Sequence, residues 1–338
     1  MAPLFPLYWR WLGLPLSRLK GAVVDRLPFS LVEVTVWAGL ACAALLLGAL
    51  LSGRWRALRA RPALFSTAAG GAFILACMAM GQGAFPMSLA PTAWRRPLAR
   101  EFPAPPLSYA AFRRDLDRRQ DRLSRAFTPD RYLSLGEGEI LAGCDRRLDT
   151  VLAGLGLQPG RRVGRMKPMG PLTTLLGLSY GGPAFHDPFF GEMAMVKPGD
   201  HPAPRYWRLI GVCHEAAHAK GFTREMDAEI LTQLALEGSP DARYRMLADI
   251  MWLRKCGERV RFPEYLKQEI RTSRDSLERV GRRQPAVRFL RALNRKLGFQ
   301  NSGGKYGSRG GAEAWDPRHP FFATVAALRP RIGSGDGP

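Results

Sequence analysis

The sequence predicts a mostly helical α+β chain, with an N-terminal helical hairpin long enough to cross a bilayer and a water-exposed domain after it. Three observations lead there. Two long apolar runs stand near the N-terminus, at Leu31–Leu51 and from Ala63 onward. Downstream, charged stretches with helical spacing alternate with short apolar runs bounded by Gly and Pro. Finally, two of only five histidines lie four residues apart around a glutamate, in His214-Glu215-Ala216-Ala217-His218.

At 338 residues the chain can hold one good-sized domain and something smaller. The net charge of +21 favours an anionic partner, either nucleic acid or a lipid surface. Arginine is spread along the whole chain, and there is no zinc-ribbon, helix-turn-helix or RNA-binding signature, so nucleic acid is not expected. Five cysteines without a Cys-x-x-Cys pair argue against a disulfide framework.

Residues 1–30 read as an interfacial segment. Trp9 and Trp11 among arginines suit the headgroup layer, and Trp, Arg and Pro interrupt any signal-peptide core. Residues 31–90 hold two transmembrane helices. The first run carries one charge, Glu33, near its start. The second has none from Ala63 to Trp94, and its spanning part is Ala63–Phe85. Ala68, Ala69, Gly70 and Gly71 would let the two helices approach closely. Arg54, Arg56, Arg59 and Arg61 lie between the spans, which predicts a cytoplasmic loop with both flanks outside.

Residues 91–108 form a Pro-rich linker, and 109–300 the folded domain. Tyr109–Phe127 and Ile140–Leu155 have helical spacing. Leu172–Tyr180 and Met193–Val196 read as short strands separated by the Gly181-Gly182-Pro183 turn. Glu192 heads the second, where surface exposure is expected. Arg208–Lys220 is a helix ended by Gly221. The next helix takes Thr223 as N-cap, has Glu225 and Asp227 in its first turn, and stops at Gly238-Ser239-Pro240. Tyr244–Cys256 is another helix, and 264–298 gives one or two basic ones. Residues 301–338 read as a flexible basic, Gly-rich tail in which His319 has no role.

On a helix, His214 and His218 share one face, the spacing at which two imidazoles bind Zn2+. A catalytic zinc needs a third protein ligand and an open position. Glu225 is the best candidate, because the Gly221-Phe222 turn can fold its helix back toward the histidines. Glu229, one turn on, is placed to orient a histidine through its free ring nitrogen. Asp227 lies off that face. Glu215 is placed to accept a proton from water, which suits attack on an amide carbonyl. Tyr180, His186, His201 and Tyr244 are further candidates for oxyanion or substrate contact.

The residues Ser179-Tyr180-Gly181-Gly182, Pro188-Phe189-Phe190-Gly191-Glu192 and Cys213–Glu225 resemble the bacterial family of membrane-anchored zinc metallopeptidases designated DUF3810. Leu27-Pro28-Phe29-Ser30 and Ser239-Pro240-Asp241 extend the resemblance. Two positions depart from it: Met226 stands in place of an acid, and Glu229 in place of an asparagine. The resemblance implies a zincin-like metallopeptidase domain with a gluzincin-like ligand set, His214, His218 and Glu225. It also implies a short edge strand above the metal, over Gly191–Lys197, that pairs with an extended peptide substrate. The implied location is the bacterial inner membrane, multi-pass, with the catalytic domain outside the cytoplasm.

The competing class is a membrane-bound sensor or scaffold that keeps zinc without hydrolysis. A structural zinc has four closed ligands and no need of Glu215, so the three-ligand set with a base favours catalysis. A site within the bilayer is excluded by Lys220, Arg224 and Glu225 directly after the motif.

Overall fold

A computed structural model of the chain describes residues 22–81, 97–157, 162–180, 182–187, 192–222, 224–256, 260–296 and 319–332. The expectations for Trp9, Trp11 and the glycine-rich stretch 301–311 lie outside these residues, as does the end of the second apolar run; Thr223 lies outside them too, but the helix expected to take it as N-cap has Arg224 at that position, with no side-chain cap bond.

The N-terminal part is a helical hairpin. Helix α1 (Leu31–Leu51) is capped by Ser30, whose hydroxyl accepts from the Glu33 N–H. It is long and apolar enough to cross a membrane, and almost none of it is buried. Helix α2 (Pro62–Gly81) returns along it. The contact is close where small residues were expected: a methyl group at Gly71 would come within 2.5 Å of the Cys42 Sγ.

The domain that follows is mostly helical, with one small sheet. Helices α3 (Tyr109–Ala126) and α4 (Glu137–Gly154) precede the sheet. Helices α6 (Arg205–Ala219), α7 (Glu225–Glu237) and α8 (Ala242–Lys255) follow it. Helix α7 sits in the middle, and every residue from Asp227 to Leu236 is buried. It packs on α4, α6 and α8, so its apolar residues point all round rather than along one stripe. Helices α9 (Glu264–Arg283) and α10 (Pro285–Lys296) are two basic helices, where one or two were expected.

The sheet departs from expectation. Residues Pro171–Tyr180 are a helix, α5, not a strand. Short apolar runs do not separate the two states by periodicity. A distant residue favours the helix here: the Glu33 carboxylate accepts from the Leu172 and Thr173 N–H groups at 3.0 and 3.1 Å and stabilises the helix start. The strands are β1 (Lys167–Pro168), β2 (Ala184–Asp187) and β3 (Glu192–Met195), in the order β1-β3-β2. β3 pairs parallel with β1 and antiparallel with β2. β3 is therefore the central strand, not the edge expected over Gly191–Lys197. All four of its residues are buried, Glu192 included, whose carboxylate is covered by Ser30, Val32 and Lys167. The strand beside the histidine helix is β2.

Two segments outside the expected domain bounds belong to its core. Leu98, placed in the linker, is fully buried, and its N–H donates to the Asp227 carboxylate at 2.9 Å. Residues Pro320–Leu328, placed in the flexible tail, form helix α11, whose Phe321 and Phe322 pack on Trp252. His319 caps it, accepting from the Phe321 N–H through Nδ1.

A buried ion network ties α3, α7, α8 and α11 together. Arg119 pairs with Asp115, Glu237 and Asp249, and Arg329 pairs with Glu237. Burial alone would raise the Glu237 carboxyl, but the Arg119 and Arg329 guanidiniums outweigh it and hold it at about 2. A carboxyl lowered on folding adds stability above its ordinary 4.5 and loses it as pH falls toward 2. Denaturant titrations should therefore lose stability through that window, and Glu237→Gln should flatten the loss. An unchanged slope would remove Glu237 as its source.

Candidate metal centre

The histidine helix ends in a turn that shapes the centre. Gly221 has φ of +104°, a left-handed conformation that favours glycine. Its N–H donates to the His218 carbonyl and the Phe222 N–H to the Ala217 carbonyl, the paired bonds of a Schellman cap. The chain thereby reverses. The Phe222 carbonyl comes back over the helix and accepts a 2.6 Å hydrogen bond from His218 Nδ1. That bond fixes the tautomer and turns His218 Nε2 toward His214.

The next helix starts at Glu225, as the turn predicts. Its carboxylate reaches both histidines: Oε2 lies 3.0 Å from His214 Nε2, and Oε1 lies 3.6 Å from His218 Nε2. The two Nε2 atoms are 3.0 Å apart, with the rings near perpendicular. One ligand atom from each residue falls within 4.8 Å of the others. Donors placed 2.0–2.2 Å from a tetrahedral zinc sit about 3.3–3.6 Å from one another. The set fits the ion after shifts of a few tenths of an ångström. In the metal-free cluster, burial would lower the His218 imidazolium, but Glu225 outweighs it and raises it to about 9. Glu225 is held well below the usual carboxylate range: burial opposes this, and hydrogen bonds from the two histidines prevail. Its side chain is half exposed, so the cluster opens to solvent on that side.

Glu215 is buried and lies close enough to interact with His214, His218 and Glu225. Burial raises its carboxyl, against the pull of His214 and His218. The His186 backbone N–H donates to it, which positions the carboxylate between β2 and α6. His186 also stacks near His218, with ring centroids 6.4 Å apart. Of the expected substrate-contact residues whose side chains are described, His186 is the one brought to the cluster.

Tyr244 and His201 go elsewhere. Tyr244 is buried between α8 and α4, and its hydroxyl is spent on the Glu139 carbonyl at 2.8 Å. It packs helices rather than contacting substrate. His201 is buried, accepts from the Ala203 N–H, and is pushed down to about 4 by burial and by Arg208. It stays neutral as a local cap. Tyr180 ends α5, and its side chain lies outside the described residues. Glu229 was expected to orient a histidine, yet its carboxylate pairs with Lys255 at 3.0 Å. The group that orients His218 is the Phe222 carbonyl, and Gly221 was its only signal in the sequence. Asp227 lies off the cluster, held by Leu98 and Arg224.

A side chain at residue 221 strains the left-handed turn by about 1–2 kcal/mol. Gly221→Ala should lower stability by that amount and also weaken zinc binding, because Phe222 moves with the turn. Titration with a zinc chelator checks this, and unaltered affinity would separate the turn from the site.

No family model, no curated protein and no solved structure matches this chain.

Proposed function

We propose that this chain is a membrane-anchored zinc metallopeptidase that hydrolyses peptide bonds. One observation carries the reading: His214, His218 and Glu225 converge on one point, with the buried Glu215 beside it. Three ligands, an open side and an adjacent carboxylate match the needs of a catalytic rather than a structural zinc. The kinship with the DUF3810 family and the zincin-like character of the domain are part of this proposal and rest on the residues quoted above.

Zinc bound there supplies a Lewis acid that makes water acidic at neutral pH and polarises a carbonyl. Glu215 accepts the proton of the attacking water and returns it to the leaving amine. The His186 N–H keeps Glu215 aimed at the cluster, and the Phe222 carbonyl keeps His218 in the ligating tautomer. The expected partners are a peptide or protein substrate and the lipid bilayer, with no nucleic acid.

In this reading both α1 and α2 cross the inner membrane of a bacterial cell. The arginine-rich connection Arg54–Arg61 faces the cytoplasm, and the domain lies outside. The domain is bonded to the N-terminal end of α1, opposite that connection, which agrees with a hairpin whose two ends share one side.

Purified protein is expected to hold about one zinc per chain. Glu225→Ala should weaken zinc by more than the ~10–100-fold that loss of a partner behind the ligands costs. If Glu225→Ala bound zinc as well as the native chain, Glu225 would not be a ligand.

A further inference from the structure

We infer that the centre acts on polypeptide segments held close to the membrane surface, because the first turn of α1 is built into the sheet that packs against the histidine helix. The inference rests on the proposal that α1 crosses a bilayer and the centre cuts peptides.

Two carboxylates cross the junction in opposite directions. Glu192 of β3 is buried and accepts from the Ser30 hydroxyl at 3.2 Å and the Val32 N–H at 3.1 Å, at the start of α1. Glu33 of α1 reaches the other way, to Leu172, Thr173 and the Thr173 hydroxyl at the start of α5. Lys167 of β1 adds a bond to the Phe29 carbonyl at 2.9 Å and lies 3.4 Å from Glu192. The surfaces touch, since a methyl group at Gly170 would collide with the Glu33 side chain. This is a fixed junction rather than a tether. The charge in the apolar run is explained by it: Glu33 caps a helix of the domain.

The path from junction to centre is short. Glu192 stands opposite Asp187 on β2, and the neighbouring His186 N–H holds Glu215. One glutamate side chain, one strand spacing and one residue step separate the first turn of α1 from that N–H, so the centre lies about 20 Å or less from the start of α1. An extended peptide rises about 3.3 Å per residue, so a chain leaving the bilayer reaches the centre in about six residues. A rigid junction at that height favours bonds near the surface over bonds carried far above it.

The zinc-loaded full chain can be reconstituted in vesicles with single-span reporters. Each reporter carries the same unstructured cleavable segment, either directly at the bilayer or raised on a folded spacer of about 40 Å, beyond the reach of the junction. Cleavage at the bilayer is expected to be at least about tenfold faster, which corresponds to about 1.4 kcal/mol. Equal rates would overturn the inference and leave the peptidase reading intact. Absence of cleavage in every reporter, with zinc bound, would overturn both. A second measurement does not need turnover. Cu2+ loaded in place of zinc should lie within about 20 Å of nitroxide-labelled lipid headgroups by spin relaxation, the height that strand geometry gives. A height near twice that would overturn the inference.

Discussion

Glu215→Gln is expected to bind zinc as the native chain does and to lose peptide hydrolysis by about 10²–10⁴-fold, the usual contribution of a positioned general base. Glutamine keeps the shape of the side chain and an oxygen that can accept from the His186 N–H, so the pocket between β2 and α6 should survive. What it cannot do is take a proton. The ligands are separate side chains, so metal content should stay near one zinc per chain, as for a single three-ligand site. Metal analysis and initial rates on the same preparation test both halves. An unchanged rate would remove Glu215 from the chemistry. A native chain that holds zinc and cuts no peptide would favour the sensor or scaffold, for which Glu215 is idle.

The centre was legible because its chemistry is local. His214 and His218 share a helix face by spacing alone, and Gly221 marks where that helix must turn. Glu225 follows from the turn, since only a tight reversal brings the next helix back within reach. The sheet was legible only at β3, expected as a strand over Met193–Val196. Its strands are two to four residues long, too short for alternation to register. The helical state of Pro171–Tyr180 is supported at its start by Glu33, 139 residues away in sequence. The exposure expected for Glu192 failed for the same reason, because its partners Ser30 and Val32 are about 160 residues distant. Helix α11 was hidden behind a glycine-rich stretch, and its apolar residues, short and flanked by Pro and Arg, do not announce a core helix. Tyr244 shows the converse error. A tyrosine near a motif in sequence can be a packing residue, and its place against Gly143 of α4 makes it one.

Arg119→Met is expected to destabilise the domain by about 3–5 kcal/mol, the cost of leaving buried carboxylates without their partner. The guanidinium is almost wholly buried and bonds three acids, Asp115, Glu237 and Asp249, while stacking 4.3 Å over the Trp252 ring. Methionine fills much of the volume and cannot neutralise any of them. The loss should fall toward the lower end of that range, because Arg122 still bonds Asp249 and Arg329 still bonds Glu237. The paired acids make the origin of the effect measurable. Once Arg119 is gone, Glu237→Gln removes a carboxylate that has lost its main counterion, so the double variant should lose less than the two single variants together. Residues in one ion network couple by about 0.5–3 kcal/mol, and a double-mutant cycle in urea reads that term directly. Simple additivity would mean that the network is a set of separate contacts rather than a shared one. Zinc content should be unaffected at temperatures where Arg119→Met remains folded, because α7 carries Glu225 at its first residue and Glu237 at its last. Loss of zinc from a folded Arg119→Met chain would instead show that the network sets the position of α7, and through it the ligand.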